Sequence, residues 1–366
     1  MNPLTQEIPP EAIQDTLSKI WESLETTSTT RASLFNLIFY TKKTSRTAYV
    51  QKLAQKVVEK FPSRILFICD DDTSKESRLK ARVSIFSATH GEYDVACDYI
   101  QLDASGEARH HLPFVVLPHI LPDLPIYLAW AEDPSHPDSL LPKLEGLATR
   151  LIFDSETTEN LSLFAQALFT HYKKTQVDIA DLNWARIENW RDLLSMVFYS
   201  PESLENVKKA ERITICYNAQ ESQFFCHTHI QAIYLQAWIA CQLNWEFKTL
   251  RREKQNLLFS YERQQRPVAI SLEPLFNPQL PPGLICSLKI SAEKERTYFF
   301  ERNVNEIHRI TLSYADEEKC ALPAHYLFQK VESGHSLVKE ITHRGTSQHF
   351  LKVIELLATK VNTALC

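Results

Sequence analysis

The chain reads as an α/β protein, with an N-terminal mixed sheet flanked by helices followed by an α+β domain whose sheet is largely antiparallel. Three observations predict this. Up to Thr175, apolar strand runs alternate with stretches of helical spacing, the pattern of crossover units. Beyond it, closely spaced strand-like runs follow helices. The 366 residues also exceed what one core usually organises, so roughly two domains are expected. The division taken is residues 1–30 as an amphipathic helix and spacer, 31–175 as the α/β domain and 176–366 as the α+β domain.

The first element is Pro10 to Leu24, where Ile13, Leu17, Ile20, Trp21 and Leu24 fall on one helical face behind a proline suited to a first turn. Thr26 to Thr30 is a polar, β-branched spacer of poor helix propensity. Leu34 to Tyr40 is apolar almost throughout, as a strand covered on both faces should be. A helix over Ala48 to Lys60 ends at Phe61-Pro62, and Ile65 to Cys69 is a second apolar strand. Further strands are predicted at Arg82 to Ser87, Tyr93 to Leu102, Phe114 to Leu117, Ile126 to Trp130 and Leu151 to Phe153, with a helix at Leu161 to Lys173. Prolines at 113, 118, 122, 125, 134, 137 and 142 are assigned to loops and edges.

After Thr175 come a helix at 185–199, a strand at 213–217 and a helix at 226–243. Strand-like runs follow near 245–250, 257–261, 267–272, 284–290, 296–301 and 307–314. A last helix, His349 to Asn362, presents Phe350, Val353, Ile354, Leu357 and Val361 on one face for that sheet.

Composition narrows function. Forty Lys and Arg against 45 Asp and Glu leave no chain-wide electrostatic footprint for nucleic acid or anionic membrane. Met1 to Glu11 lacks a basic region followed by an apolar run, and Ile230 to Leu243 is too short to span a bilayer, so a cytoplasmic protein is expected. Eight scattered cysteines without a Cys-x-x-Cys pair fit reduced thiols, with a redox switch through an irregular pair as the other reading. Only six glycines occur, each isolated, whereas phosphate-cradling loops need clustered glycine. Neither the dinucleotide nor the Walker fingerprint can be written.

Four local clusters carry residues that could do chemistry. Asp70-Asp71-Asp72 follows an apolar strand, where Mg²⁺ or a ribose could bind, but an acidic solvated turn capping the next helix gives the same sequence and is the expected reading. Cys226-His227-Thr228-His229 lacks a second pair at zinc spacing and reads as the start of a helix. His110-His111 reads as a loop. Lys248, Arg251, Arg252, Lys254, Arg263 and Arg266 could bind a phosphorylated metabolite, nucleic acid or an acidic protein face, though Glu253 and Glu262 dilute them toward a solvated surface. No catalytic, cofactor-binding or metal-binding residue is assigned, and no cofactor.

Asp181 to Leu194 (Asp-Leu-Asn-Trp-Ala-Arg-Ile-Glu-Asn-Trp-Arg-Asp-Leu-Leu) has the layout of a capped amphipathic helix. Asp181 or Asn183 can cap it, the buried stripe is Ile187, Trp190, Leu194 and Val197, and Arg186, Asn189 and Arg191 lie on the flanks. This stretch resembles the signature of the glucose-6-phosphate dehydrogenase assembly protein family (OpcA), an Asp-Leu-Asn-Trp run leading into a Trp-Arg-x-Leu-Leu helix. Arg31-Ala32 with Asn36-Leu37-Ile38, Phe61-Pro62-Ser63-Arg64, Pro122-Asp123-Leu124-Pro125, Leu151 to Ser155 and Trp238 to Trp245 resemble family segments in the same order. Departures are Glu188-Asn189 for a usual Thr-Pro pair, Ala129-Trp130 for paired tryptophans and Asn244 for a glycine.

The resemblance implies a non-catalytic partner of glucose-6-phosphate dehydrogenase that promotes its active oligomer. Asp181, Asn183, Trp184, Arg186, Trp190 and Arg191 are then candidates for partner contact or domain junction. The alternative is a sugar-phosphate-binding enzyme or sensor, motivated by the α/β half and the basic region near Arg251.

Overall fold

Apolar runs at Asn36–Lys42 and Arg64–Asp71, buried along almost their whole length, form the centre of the first of two sheets. The computed structural model describes residues 7–24, 29–90, 93–225, 227–291, 296–315, 322–329 and 334–361. Two units result: Met1–Thr157 with His171–Leu182 and Glu332–Gly345, and Thr158–Thr170 with Asn183–Val331 and Thr346–Cys366.

Among the described residues nine strands make the first sheet: β1 (Glu7–Ile8), β2 (Thr29–Arg31), β3 (Asn36–Lys42), β4 (Arg64–Asp71), β5 (Arg78–His90), β6 (Tyr93–Ser105), β7 (Ile126–Trp130), β8 (Arg150–Phe153) and β9 (Asp178–Asp181). Their order is β1-β5-β6-β4-β3-β7-β8-β9, with β2 pairing β6. The run from β6 to β9 is parallel, whereas β1–β5 and β5–β6 are antiparallel, so the sheet is mixed as predicted. Counted along the chain, and leaving aside the short β2 that also pairs in parallel with β6, the six strands of the β6-to-β9 run lie third, second, first, fourth, fifth and sixth. That is the doubly wound order of dinucleotide-binding sheets, which reverses between β3 and β7.

The helices are α1 (Ile13–Leu24), α2 (Thr47–Val58), α3 (Leu112–Val116), α4 (Leu141–Glu145), α5 (Leu161–Thr175), α6 (Leu182–Arg186), α7 (Glu188–Val197), α8 (Pro201–Lys208), α9 (Ile230–Gln242), α10 (His335–Thr342) and α11 (Gln348–Thr359). Three expectations are corrected. Phe114 to Leu117 is not a strand but lies in α3 and the 3₁₀ turn after it; Pro113 sits in the first turn of α3, where its fixed φ favours the helix. His110-His111 closes a 3₁₀ helix. The helix expected at 185–199 breaks at Ile187 into α6 and α7. Much of the Thr26 to Thr30 spacer, residues 26–28, lies outside the described residues, as does Cys226.

Among the described residues the second sheet has eight strands: β10 (Arg212–Asn218), β11 (Glu246–Glu253), β12 (Asn256–Arg263), β13 (Arg266–Leu275), β14 (Ile285–Ser291), β15 (Thr297–Arg302), β16 (Arg309–Ala315) and β17 (Ala324–Leu327). Across the order β11-β12-β13-β10-β14-β15-β16-β17 every pairing is antiparallel except β10–β13. Alternate residues, among them Ile213, Ile215, Phe259, Ile270, Leu272, Leu288 and Phe300, are buried on one face. α9 packs on that face over β10 and β13, and α11 packs on α9. Pressed from both sides, α9 buries ten of its residues, and its Gln236 accepts from the Tyr261 hydroxyl at 2.7 Å. Asn244 is left-handed with φ 53°, a conformation that asparagine tolerates better than most residues. No helix among the described residues is long and apolar enough to cross a membrane.

Candidate functional site

The carboxyl edge of the first sheet is where a doubly wound fold binds ligands, at the reversal of strand order. β3 and β7 flank that point, and the turn leaving β3 is Lys42-Lys43-Thr44-Ser45-Arg46, without glycine. Glu132, just past β7, reaches across it. Its Oε1 accepts from the Lys42 backbone N–H at 2.7 Å and from Thr41 Oγ1 at 3.3 Å. A backbone donor of the kind that faces a pyrophosphate is thus held by the protein's own carboxylate.

Neighbouring positions are filled in the same way. Arg46 Nη2 pairs with Asp154, after β8, at 2.7 Å. The Tyr40 and Trp130 rings stack with centroids 3.9 Å apart. Tyr40 donates its hydroxyl to Asp70 at 2.7 Å, and Arg109 Nη2 reaches the same Asp70 oxygen at 2.7 Å and Asp138 at 3.6 Å. This corrects the solvated-loop reading of the aspartate triplet. Asp70 is fully buried, while Asp71 and Asp72 form outer pairs with Lys43 and Lys42.

Burial raises the Asp70 carboxyl above its ordinary value against the Tyr40 hydroxyl and Arg109, which favour ionisation. Burial likewise raises Glu132 against the Lys42 amide and ammonium. The four cations here (Lys42, Lys43, Arg46, Arg109) are each already paired with a carboxylate (Asp72, Asp71, Asp154 and Asp70), so none is left unpaired to meet a phosphorylated ligand. These residues do not fit a dinucleotide.

The signature segment is built into its surroundings. Asp181, at the end of β9, is fully buried and accepts from Ser155 N at 2.8 Å and Ser155 Oγ at 3.0 Å. Asn183, 1% exposed, accepts from Arg186 Nη1 at 2.7 Å, and that guanidinium lies 5.1 Å from the Phe225 ring centroid. Trp184, 4% exposed, packs against Phe350 of α11 and Tyr234 of α9. Arg191 covers the Trp184 ring at 3.6 Å and donates to the Trp184 carbonyl at 2.6 Å, tying α7 to α6.

Trp190 is buried edge-on against Phe328, and Arg302 lies 5.6 Å from its ring. Arg302 donates to the Ile285 and Ile307 carbonyls, and burial drops its pKa to about 10. Within the second unit, Trp184, Arg186, Trp190 and Arg191 therefore make two separate clusters, one around Trp184 and one around Trp190 and Arg302.

Sequence reasoning missed Arg302, Phe328 and the edge residues Tyr40, Arg46, Glu132 and Asp154. For the edge, the available signal was cationic Lys-Lys-Thr-Ser-Arg where a first β–α turn should be glycine-rich. Among the described residues no group of three or more His, Cys, Asp or Glu is arranged to hold a metal ion. Cysteines 69, 97, 216, 241 and 286 are free thiols, and burial pushes Cys97 up to about 12 and Cys69 to about 11.

Residues 54–167 match the family model described as glucose-6-phosphate dehydrogenase subunit N-terminal domain, and residues 177–324 match its C-terminal domain counterpart. Among curated proteins, the chain is 29% identical over 196 residues to "Putative OxPP cycle protein OpcA" of Synechocystis sp., covering 53% of this chain and 39% of that protein. It is 25% identical over 254 residues to the protein of that name from Synechococcus elongatus, covering 66% and 54%. The matches thus span about half or less of these relatives' length. Similar solved structures include the Gal80p super-repressor mutant of Saccharomyces cerevisiae (TM-score 0.48, 10% identity, 89% of this chain and 94% of that). Another is the WlbA dehydrogenase of Thermus thermophilus (TM-score 0.45, 12% identity, 89% and 95%). With two consecutive domain models covering most of its length, the chain belongs to the OpcA family of glucose-6-phosphate dehydrogenase assembly proteins.

Proposed function

We propose that this protein is a non-catalytic assembly factor and allosteric effector that binds glucose-6-phosphate dehydrogenase and favours its active oligomer, acting in the cytoplasm in the oxidative pentose phosphate pathway. The observation that carries the reading is the ordered pair of family domains over residues 54–167 and 177–324. The carboxyl edge of the first sheet supports it, because Glu132, Asp154 and the Tyr40–Trp130 stack stand where a cofactor would. An effector raises activity by binding the active state more tightly than the inactive one, and a preference of ~1–3 kcal/mol gives about a 5–150-fold shift.

Co-purification with the dehydrogenase, followed by native mass measurement and an activity titration, tests the proposal. A complex with raised activity and a shift toward the larger oligomer is expected. No complex and no change in activity at micromolar concentration refutes it.

A further inference from the structure

The second sheet has one face under helices and one face whose residues, such as Arg212, Thr214, Ser271 and Lys289, stay partly or fully exposed. On the latter face β10 presents Arg212, Thr214 and Cys216, between the buried Ile213, Ile215 and Tyr217. Register extends these positions across the sheet. Arg212 is level with Ala269 and Ser291, Thr214 with Ser271 and Lys289, and Cys216 with Glu273 and Ser287. Next to these, Lys289 pairs Phe299 and Ser287 pairs Glu301. Ser260, opposite Ala269, continues the face onto β12.

A sheet face that stays in water generally carries long charged side chains. Here the central positions are serine, threonine, alanine and cysteine, which leave a smooth floor at low cost in side-chain entropy. The floor is a trough of about 1010 Å³ across β10, β12, β13 and β14.

The charges on it are sorted by sign. Toward one end of the strands Arg212, Arg266 and Lys289 outnumber Glu211, with Glu262 there paired to Lys248, while Glu273 and Glu301 share the row of Cys216 and Ser287. Among the described residues none of Arg212, Arg266, Lys289 and Glu301 forms an ion pair. A face positive at one end and negative at the other complements itself once turned round. A two-fold axis lying between two such faces and crossing the strands reverses strand direction. It brings the Arg212 and Lys289 end of one copy toward the Glu273 and Glu301 row of the other. The size also fits: eight strands about 4.8 Å apart and about 23 Å long give about 900 Å² a side, close to the roughly 800 Å² per partner of a stable protein interface.

We infer that this face is a docking surface for a second copy of the chain, the two sheets stacking face to face about 10 Å apart. The inference does not rest on the dehydrogenase reading and stands or falls without it.

Sedimentation of the full chain at micromolar concentration tests it, alongside Lys289→Glu, Glu301→Lys and the double variant. Each single reversal places like charges across the two-fold and is expected to weaken self-association at least about tenfold, and the double variant, which restores opposite charges, to recover it. Far-ultraviolet circular dichroism establishes that each variant is folded. A monomeric wild-type chain overturns the inference, and so does a dimer indifferent to both reversals. Reversals that leave a dimer intact but abolish capture of glucose-6-phosphate dehydrogenase also overturn it, in favour of the enzyme as occupant.

Discussion

Replacing Arg191 with alanine separates a structural signature from a contact signature. The guanidinium lies 3.6 Å from the Trp184 ring and donates to the Trp184 carbonyl at 2.6 Å. A partly buried cation over an indole contributes about 0.5–2 kcal/mol, and a charged hydrogen bond to a carbonyl about 1.5–3. The half-buried position puts the sum toward its lower part, about 2–4 kcal/mol. At about 2–4 °C per kcal/mol for a unit of this size, the midpoint should fall by about 4–16 °C. Arg191→Lys keeps the charge and loses the planar stack, so it should recover less than half of that. Thermal unfolding followed by circular dichroism reads the shift, and capture of the dehydrogenase well below the midpoint reads binding. The scaffold reading expects a lowered midpoint with binding retained in the cold. A midpoint unchanged within about 2 °C together with lost binding would refute it and make Arg191 a contact residue.

Two further outcomes follow from buried polar groups. Asp98, 1% exposed, accepts from Trp21 Nε1 at 2.7 Å, Arg31 Nη2 at 2.8 Å and Arg64 Nε at 2.9 Å. Asp98→Ala strands the buried Arg64 and should cost about 3–5 kcal/mol in urea unfolding. Burial alone would raise the Asp98 carboxyl, but Arg31, Arg64 and Trp21 together hold it below its ordinary value. Its contribution is therefore present above the unfolded carboxylate range and lost as pH falls through the depressed folded value, so the cost of Asp98→Asn should shrink on acidification. Gly106 has φ +56°, and a Cβ there would lie 2.9 Å from the Glu76 carbonyl oxygen. Gly106→Ala should destabilise the first unit by at least about 1 kcal/mol, measured by the urea midpoint.

Periodicity made the regular parts legible. Strands predicted at 257–261 and 284–290 are observed at Asn256–Arg263 and Ile285–Ser291, because one face of each is buried and alternation records that directly. Phe114 to Leu117 failed because a short apolar run has no period of its own, and only Pro113 in the first turn decides for helix. Asp70 failed for a longer-range reason. The cation that allows its burial, Arg109, comes from after β6, and no local pattern links the two. The doubly wound strand order was hidden because its usual marker, the glycine-rich turn, is replaced by Lys42 to Arg46. The signature was legible as a motif, but the partners of Trp184 and Trp190, Phe350 and Phe328, lie more than a hundred residues on.

The first unit is discontinuous, and this bears on how the chain is made. Arg150, 3% exposed at the start of β8, is neutralised by Glu340 of α10, 190 residues later, and also donates to the His343 and Gly345 carbonyls. At about 5–20 residues per second, a ribosome needs about 10–40 s to deliver that carboxylate after Arg150 has emerged. Over that interval the nascent sheet holds an uncompensated arginine at β8. Final closure of the first unit must therefore await synthesis of α10, and a chain stopped before α10 should leave the ribosome as a substrate for chaperones.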